Sequence, residues 1–270
     1  MSFSVLLSLY YKENPDFLRQ SLDSIFCQTM PPDEVILVED GKLVPELYKV
    51  VEEFVSRNPN MKRVVLKGNR GLGKALNEGL KHCSYELVAR MDTDDIAKPD
   101  RFEKQLKVFQ EHPEVDVVGA WIDEFEEDTS HVVSVRRLPE LHEDILFFAK
   151  KRNPINHPVV MFRKEAVLAV DGYQHFPLFE DYYLWVRMLM DGAKFYNIQE
   201  GLLYFRSSPD MFRRRGGLKY VGTEICFQNY LLRSHFISFS RYIQNVVIRG
   251  ITRILPNSWR MFLYRLKLRS

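Results

Sequence analysis

Four short apolar runs, separated by segments of helical periodicity, fill the first 98 residues and leave few folds open. Ser4 to Leu9 has the length and apolarity of a buried strand, and Glu34 to Val38, Arg63 to Leu66 and Glu86 to Met91 read as further strands. Between the first two, Asn14 is placed to cap a helix and Pro15 to occupy its first position. Phe17, Leu18, Ser21, Leu22, Ile25 and Phe26 then recur at helical spacing until Pro31-Pro32 stops the pattern. Further helices are predicted over residues 45–58 and 74–82, with a polar, glycine-rich loop at 68–73. Strands alternating with helices predict an α/β fold with a mostly parallel sheet and helices on both faces. Ligands of such sheets bind beyond the carboxyl ends of the strands. Ser8-Tyr10, Glu39-Asp40 and Asp92 to Asp95 all fall at those ends, so the fold should gather them on one edge.

From about residue 100 the pattern is mixed. Helices are predicted at 101–112, 145–150, 164–170 and 182–191, strands at 115–124, 132–137 and 159–163, and a helical region from 217 onward. The expected organisation is a catalytic domain over 1–205, with a donor half to about 98 and an acceptor half over 99–205. A C-terminal region over 206–270 follows.

Charge divides the chain at the same place. Residues 206–270 hold 13 Lys and Arg against 2 Asp and Glu, a local charge of +11, whereas residues 1–205 stand at −9. The net +2 thus conceals an acidic body and a basic tail suited to an anionic surface. No groove-reading motif is present and the acidic body opposes DNA, so no nucleic-acid partner is expected. No apolar stretch reaches the length of a membrane span, and Met1 to Tyr11 lacks the features of a signal peptide. Cys27, Cys83 and Cys226 stand far apart without a CxxC pair, which argues against structural zinc and for a reducing compartment.

Several clusters carry chemistry, each with a plainer alternative. Asp92, Asp94 and Asp95 repel one another unless a cation or hydrogen-bond donors compensate; they suit a hard divalent ion such as Mn2+ or Mg2+, or else cap a turn. Asp40 can accept hydrogen bonds from a base or ribose, or simply close an Asp-Gly turn. The run from Asn69 to Lys74 offers backbone amides and cations near the same edge, without the spacing of a P-loop. In Glu180-Asp181 a carboxylate could take the proton of an attacking hydroxyl, or both acids could favour a helix N-terminus. His157 reads as a metal ligand, a substrate contact or a structural histidine. Arg213, Arg214 and Arg215 offer phosphate-binding forks or a solvated loop.

Taken in order, these segments resemble the inverting nucleotide-sugar glycosyltransferases of family 2, which have the Rossmann-like GT-A fold. Ser4 to Tyr10, Ser21 to Ile25 with Gln28-Thr29, Glu34 to Gly41, Asn69 to Asn77, Asp92 to Asp95 and Phe179 to Trp185 carry the resemblance across residues 3–205. Glu39 stands where the family more usually has Asp. The resemblance implies that Ser8, Tyr10 and Asp40 line a uracil pocket with Lys74 close by. It further implies that Asp92 and Asp94 face ribose and metal, that Asp95 adjoins the metal, and that Asp181, or failing it Glu180, is the catalytic base.

The segment from Ser208 to Tyr220 is similar to bacterial O-antigen and capsule transferases. Relatives of that kind move glucose or galactose from a UDP-sugar to GlcNAc-diphosphate-undecaprenol in a β1,3 linkage. The resemblance therefore implies a UDP-sugar donor and a lipid-diphosphate acceptor, with Arg213, Arg214 and Arg215 on the acceptor diphosphate. Phe236, Ile237, Phe239, Tyr242, Ile243, Val247, Trp259 and Phe262 interleave with Arg241, Arg249, Arg253 and Arg260. Such a composition suits an interfacial segment on an anionic membrane, or a helix packed on the body. The expected location is cytoplasmic, peripheral on the inner face of a bacterial inner membrane. Another donor or acceptor within the family, a nucleotidyltransferase, and a binding protein acting through its basic tail are the alternatives.

Overall fold

A computed structural model describes residues 1–207 and 218–254. Arg213 to Arg215 and the tail from residue 255 lie outside the described residues.

The first half folds as the alternation predicts. Strand β1 (Phe3–Leu9) leads to helix α1 (Pro15–Phe26), β2 (Glu34–Glu39), α2 (Pro45–Arg57), β3 (Met61–Val65), α3 (Leu72–His82) and β4 (Leu87–Arg90). β1 pairs in parallel with both β2 and β4, and β2 with β3. Asn14 caps α1, its Oδ1 accepting from the amide of Asp16 at 2.8 Å. β1 alternates between the two faces: Phe3, Val5, Leu7 and Leu9 join the core beneath α1 and α2, and Leu6 joins the opposite core beneath α3. α3 lies so close to the sheet that a Cβ on Gly79 would stand 2.3 Å from Leu6 and 2.7 Å from Val38.

Beyond β4 the sheet becomes mixed. The chain continues through β5 (Ile96–Ala97), α4 (Arg101–Glu111), β6 (Val117–Phe125), β7 (Val132–Arg136), α5 (His142–Ala149), β8 (Met161–Arg163), α6 (Lys164–Ala169), α7 (Glu180–Met190) and β9 (Phe195–Arg206). The sheet order is β3-β2-β1-β4-β8-β6-β9-β5, with β7 on β6. β8 enters antiparallel to β4 and to β6, while β9 runs parallel to β6. The sequence reading lacks β9. Its alternation is broken at Gln199-Glu200-Gly201, where the pairing with β6 shifts register. A single sheet therefore spans both the expected donor and acceptor halves.

Two C-terminal helices, α8 (Leu218–Arg233) and α9 (Phe239–Ile254), follow. α8 packs into the core through Phe227, whose ring lies 4.6 Å from Tyr182 and 5.0 Å from Phe179. Phe236 and Ile237, grouped above with an interfacial segment, are buried in that same core, because they close the turn between the two helices. The outward stripe of α9 keeps the expected exposure: Phe239, Ile243, Val247 and Ile248 face solvent. No helix among the described residues is long and apolar enough to cross a membrane.

Candidate active site

The carboxyl ends of β1, β2 and β4 open onto a cleft of about 690 Å3. That size accommodates a sizeable ligand. Ser8, Tyr10, Asp40, Asp92 and Asp94 line it, as strand-end placement predicts, while Glu39 and Asp95 are buried outside the lining. His157, Glu180 and Asp181 line it from other elements. Lys74 does not; it is exposed on the first turn of α3, outside the lining.

At the end of β2, both oxygens of Asp40 are engaged by the glycine-rich loop. Oδ1 accepts from the amide of Arg70 at 2.6 Å and Oδ2 from that of Gly71 at 2.9 Å. The next residue, Gly41, has φ +91° and a Cβ there would lie 2.7 Å from the amide nitrogen of Asn69, so only glycine fits this crossing. Asp40 thus shapes the loop that walls the cleft, besides facing the cleft itself.

At the end of β4 the acidic turn is crowded. Each of Asp92, Asp94 and Asp95 can offer an oxygen within 4.8 Å of the others. Burial and the charge of Asp92 raise the Asp94 carboxyl to about 6. Burial, Asp94 and Asp92 push Asp95 well above the usual carboxylate range. Asp95 Oδ1 accepts from the amide of Arg206 at 2.9 Å, but its buried Oδ2 has no hydrogen-bond partner among the described residues. Three compressed carboxylates with an orphaned buried oxygen are an oxygen donor set that fits a hard divalent cation.

Two arginines that the sequence reading passed over frame this turn. Arg90, buried beneath it, forks onto Asp92, with Nη1 2.7 Å from Oδ2. Arg206, at the end of β9, donates from Nε to the Asp94 carbonyl at 3.0 Å, its guanidinium 3.8 Å from the Phe17 ring centre. The Arg90 pair was open to sequence reasoning, since positions two apart on a strand share a face. Arg206 was not, because it depends on the unforeseen β9.

Across the cleft, Glu180 and Asp181 form the first turn of α7. Burial raises the Glu180 carboxyl, assisted by the charge of Asp181. Asp181 Oδ2 accepts a 2.6 Å hydrogen bond from Asn153 Nδ2. His157 contacts Tyr173 rather than a carboxylate, with Nε2 2.8 Å from the phenol oxygen. Burial and the nearby Arg90 hold its imidazole neutral. The remaining wall carries Glu13, Glu124, Arg136, Arg152, Asn153, Tyr220 and Arg249.

Residues 4–169 match the sequence profile of the family described as "Glycosyl transferase family 2". The chain is 40% identical over 263 residues to the Escherichia coli UDP-Gal:alpha-D-GlcNAc-diphosphoundecaprenol beta-1,3-galactosyltransferase, covering 97% of this chain and 95% of that protein. It is 41% identical over 262 residues to the amylovoran biosynthesis glycosyltransferase AmsE of Erwinia amylovora, covering 97% of each. Its fold is similar to that of S. aureus TarS 1-349 in complex with UDP-GlcNAc, with a TM-score of 0.70 at 18% identity, covering 99% of this chain and 76% of the other.

Proposed function

The chain belongs to glycosyl transferase family 2, and on that premise we propose that it moves a hexose from a UDP-sugar to GlcNAc-diphosphate-undecaprenol, forming a β1,3 linkage. It is a glycosyltransferase with the GT-A arrangement of a sheet flanked by helices. The observation that carries the proposal is one cleft with Asp92 and Asp94 on one wall, Asp95 buried within ligand distance of them, and Asp181 on the other wall. The near-full-length likeness to a galactosyltransferase using such an acceptor supports the substrates, with galactose the first choice and glucose the second. The likeness to AmsE supports a role in assembling an exported polysaccharide.

In this reading residues 1–98 hold the donor and residues 99–205 the acceptor. Ser8 and Tyr10 contact the uracil. Asp40 holds the loop at Arg70 and Gly71 against the nucleotide, and Lys74 stands at the outer rim of the same loop. Asp94 and Asp95, with Asp92 beside them, hold Mn2+ or Mg2+. When bound, that cation offsets the charge developing on the departing UDP. Arg90 orients Asp92 through its forked ion pair. Asp181, aimed by Asn153, takes the proton of the acceptor hydroxyl as that oxygen attacks the anomeric carbon. The bond from that carbon to the UDP oxygen breaks from the opposite face, so one displacement inverts the configuration. Glu180 is the second choice for the base. His157, neutral and bonded to Tyr173, supports the wall rather than binding metal.

Peripheral attachment to the cytoplasmic face of a bacterial inner membrane belongs to the same proposal. α9 carries exposed Phe239, Ile243 and Val247 at intervals of four, one stripe of a helix. Phe147 of α5 is also exposed, with Lys151 4.0 Å and Arg241 5.9 Å from its ring centre. Apolar side chains rimmed by cations suit an anionic lipid surface.

The deciding experiment offers UDP-Gal, UDP-Glc and UDP-GlcNAc in turn with a GlcNAc-diphosphate-alkyl acceptor and assigns the product by NMR. A β1,3-linked galactose is expected. Transfer from none of the three sugars, or an α-linked product, overturns the reading.

A further inference from the structure

Under the proposed reaction the cleft must hold two diphosphates, one on the donor and one on the acceptor. The metal-binding carboxylates can serve only the first. A diphosphate diester stays ionised at neutral pH, so the second needs its own cations away from the acidic turn. The described lining includes Arg90, Arg136, Arg152, Arg206 and Arg249. Arg90 and Arg206 are engaged at the acidic turn, through the Asp92 carboxylate and the Asp94 carbonyl.

The other three come from β7, the turn after α5, and α9, and they are fastened into one wall. Arg136 Nη2 donates to the carbonyl of Asn153 at 3.1 Å. Arg152 lies over the Phe148 ring, 5.4 Å from its centre. Arg249 donates to the carbonyl of Lys151 and, at 2.6 Å, to the buried carboxylate of Glu224. One turn earlier, Asn245 Nδ2 donates to the carbonyl of Lys150 at 2.9 Å. α9 therefore braces the segment 150–153 from behind. Asn153 joins that wall to the reacting end, since its side chain holds Asp181 while its carbonyl holds Arg136.

We propose that Arg136 and Arg152 bind the diphosphate of the acceptor, and that Arg249 is a positioning residue that fixes the segment carrying Arg152. The proposal rests on the lipid-diphosphate acceptor argued above. In a β1,3 transfer the attacking hydroxyl and the carbon bearing the diphosphate are separated by one ring carbon. With that hydroxyl at Asp181 the diphosphate therefore falls within a sugar's width of Asn153, whose carbonyl holds Arg136. Guanidinium forks match phosphate oxygens with paired, directed donors, which a lysine cannot reproduce. The charge of Arg249 is already met by Glu224, so its part is mechanical. The exposed stripe of α9 lies on the same helix as Arg249, which keeps this end of the cleft beside the surface proposed for the lipid. Arg213, Arg214 and Arg215, to which the sequence assigns the same phosphate, lie outside the described residues.

The test measures the full-length protein and its R136A, R152A and R152K variants with saturating UDP and Mn2+. Calorimetry with a short alkyl diphosphate that carries no sugar reads the subsite alone. R136A and R152A are expected to weaken that binding about tenfold to a hundredfold, with R152K intermediate. In turnover, R152A should raise KM for a GlcNAc-diphosphate-alkyl acceptor by a similar factor. R152A should leave acceptor-independent UDP-sugar hydrolysis, and transfer to a GlcNAc alkyl ether lacking phosphate, within about twofold of wild type, whereas R136A also releases the carbonyl of Asn153 and is read by diphosphate binding alone. R249A should lose affinity for the alkyl diphosphate, and regain it in part in R249K. Absence of wild-type alkyl diphosphate binding overturns the subsite, as does equal loss on both acceptors in R152A. Arginine-dependent diphosphate binding without transfer to any GlcNAc-diphosphate leaves the subsite standing and overturns the acceptor reading instead.

Discussion

Residue by residue, the cleft divides into groups whose roles the sequence displays and groups that only contacts reveal. The places of Asp92, Asp94 and Asp181 on one cleft were legible because the family resemblance tipped the balance against their plainer readings, a turn cap and a helix N-terminus. Asp40 was only half legible. Its position was foreseen, but its grip on the amides of Arg70 and Gly71 depends on a loop thirty positions away and leaves no local pattern. Asn153 carried no signal at all, because a side-chain amide in a loop is ordinary until Asp181 is found 2.6 Å from it. If Asp181 is the base, Asp181→Asn should lower kcat about 10²- to 10⁴-fold while UDP affinity stays within about twofold. Normal turnover would move the base to Glu180. Away from the site, Glu34 tests acid stability. Burial alone would raise this carboxyl, but hydrogen bonds from Lys62, Ser84 and Ser4 overcome it and bring the pKa down to about 2. A depressed folded pKa contributes stability above the unfolded value, near 4.5, which is lost as pH falls through about 2. Glu34→Gln should therefore cost about 2–3 kcal/mol in urea unfolding at pH 7, and the gap should narrow as pH falls below about 4.5. A gap unchanged at pH 3 would remove the ionised carboxylate from the account.

The elements show where periodicity suffices and where it does not. β1, β2 and β4 were legible because strands buried on both faces must be continuously apolar, and crossover helices must carry one apolar stripe, whereas β3 sits at the sheet edge with Lys62, Arg63 and Val65 exposed. The entry of β8 between β4 and β6 was not, since three residues of strand, Met161–Arg163, carry too short a pattern to fix direction. α9 mixes both cases. Its interleaved arginines and apolar residues announced an amphipathic helix, yet only packing separates buried Asn245 from exposed Ile243 and Val247. The exposed stripe makes a direct prediction. Ile243→Glu with Val247→Glu should abolish co-sedimentation with anionic vesicles and leave transfer to a short soluble acceptor within about twofold. Unchanged vesicle binding would take α9 out of membrane contact, while lost soluble activity would mean that the stripe supports the fold instead.

Across the whole molecule, one cleft carries two charged walls, both built mainly by the acidic body, with Arg206 and Arg249 of the basic stretch added to them. The acidic wall is the costlier, for Asp94 and Asp95 are both held above their ordinary range by burial and mutual repulsion. Arg90 forks onto Asp92, and the buried Oδ2 of Asp95 has no hydrogen-bond partner among the described residues. A fold that retains such a turn is less stable without a cation than with one, because a ligand binding only the folded state adds stability in proportion to the logarithm of its saturation. Mn2+ with UDP at about a hundred times their dissociation constants should therefore add about 2.7 kcal/mol, a shift of about 5 °C in Tm for a chain of this size. UDP with EDTA should give little of that shift. Asp94→Asn removes a ligand and a repulsion together, so it should raise the metal-free Tm while losing most of the shift and nearly all transfer. A variant no more stable than wild type without metal, yet still shifted by Mn2+ and UDP, would show that the acidic turn is settled by its own hydrogen bonds and that the cation binds elsewhere.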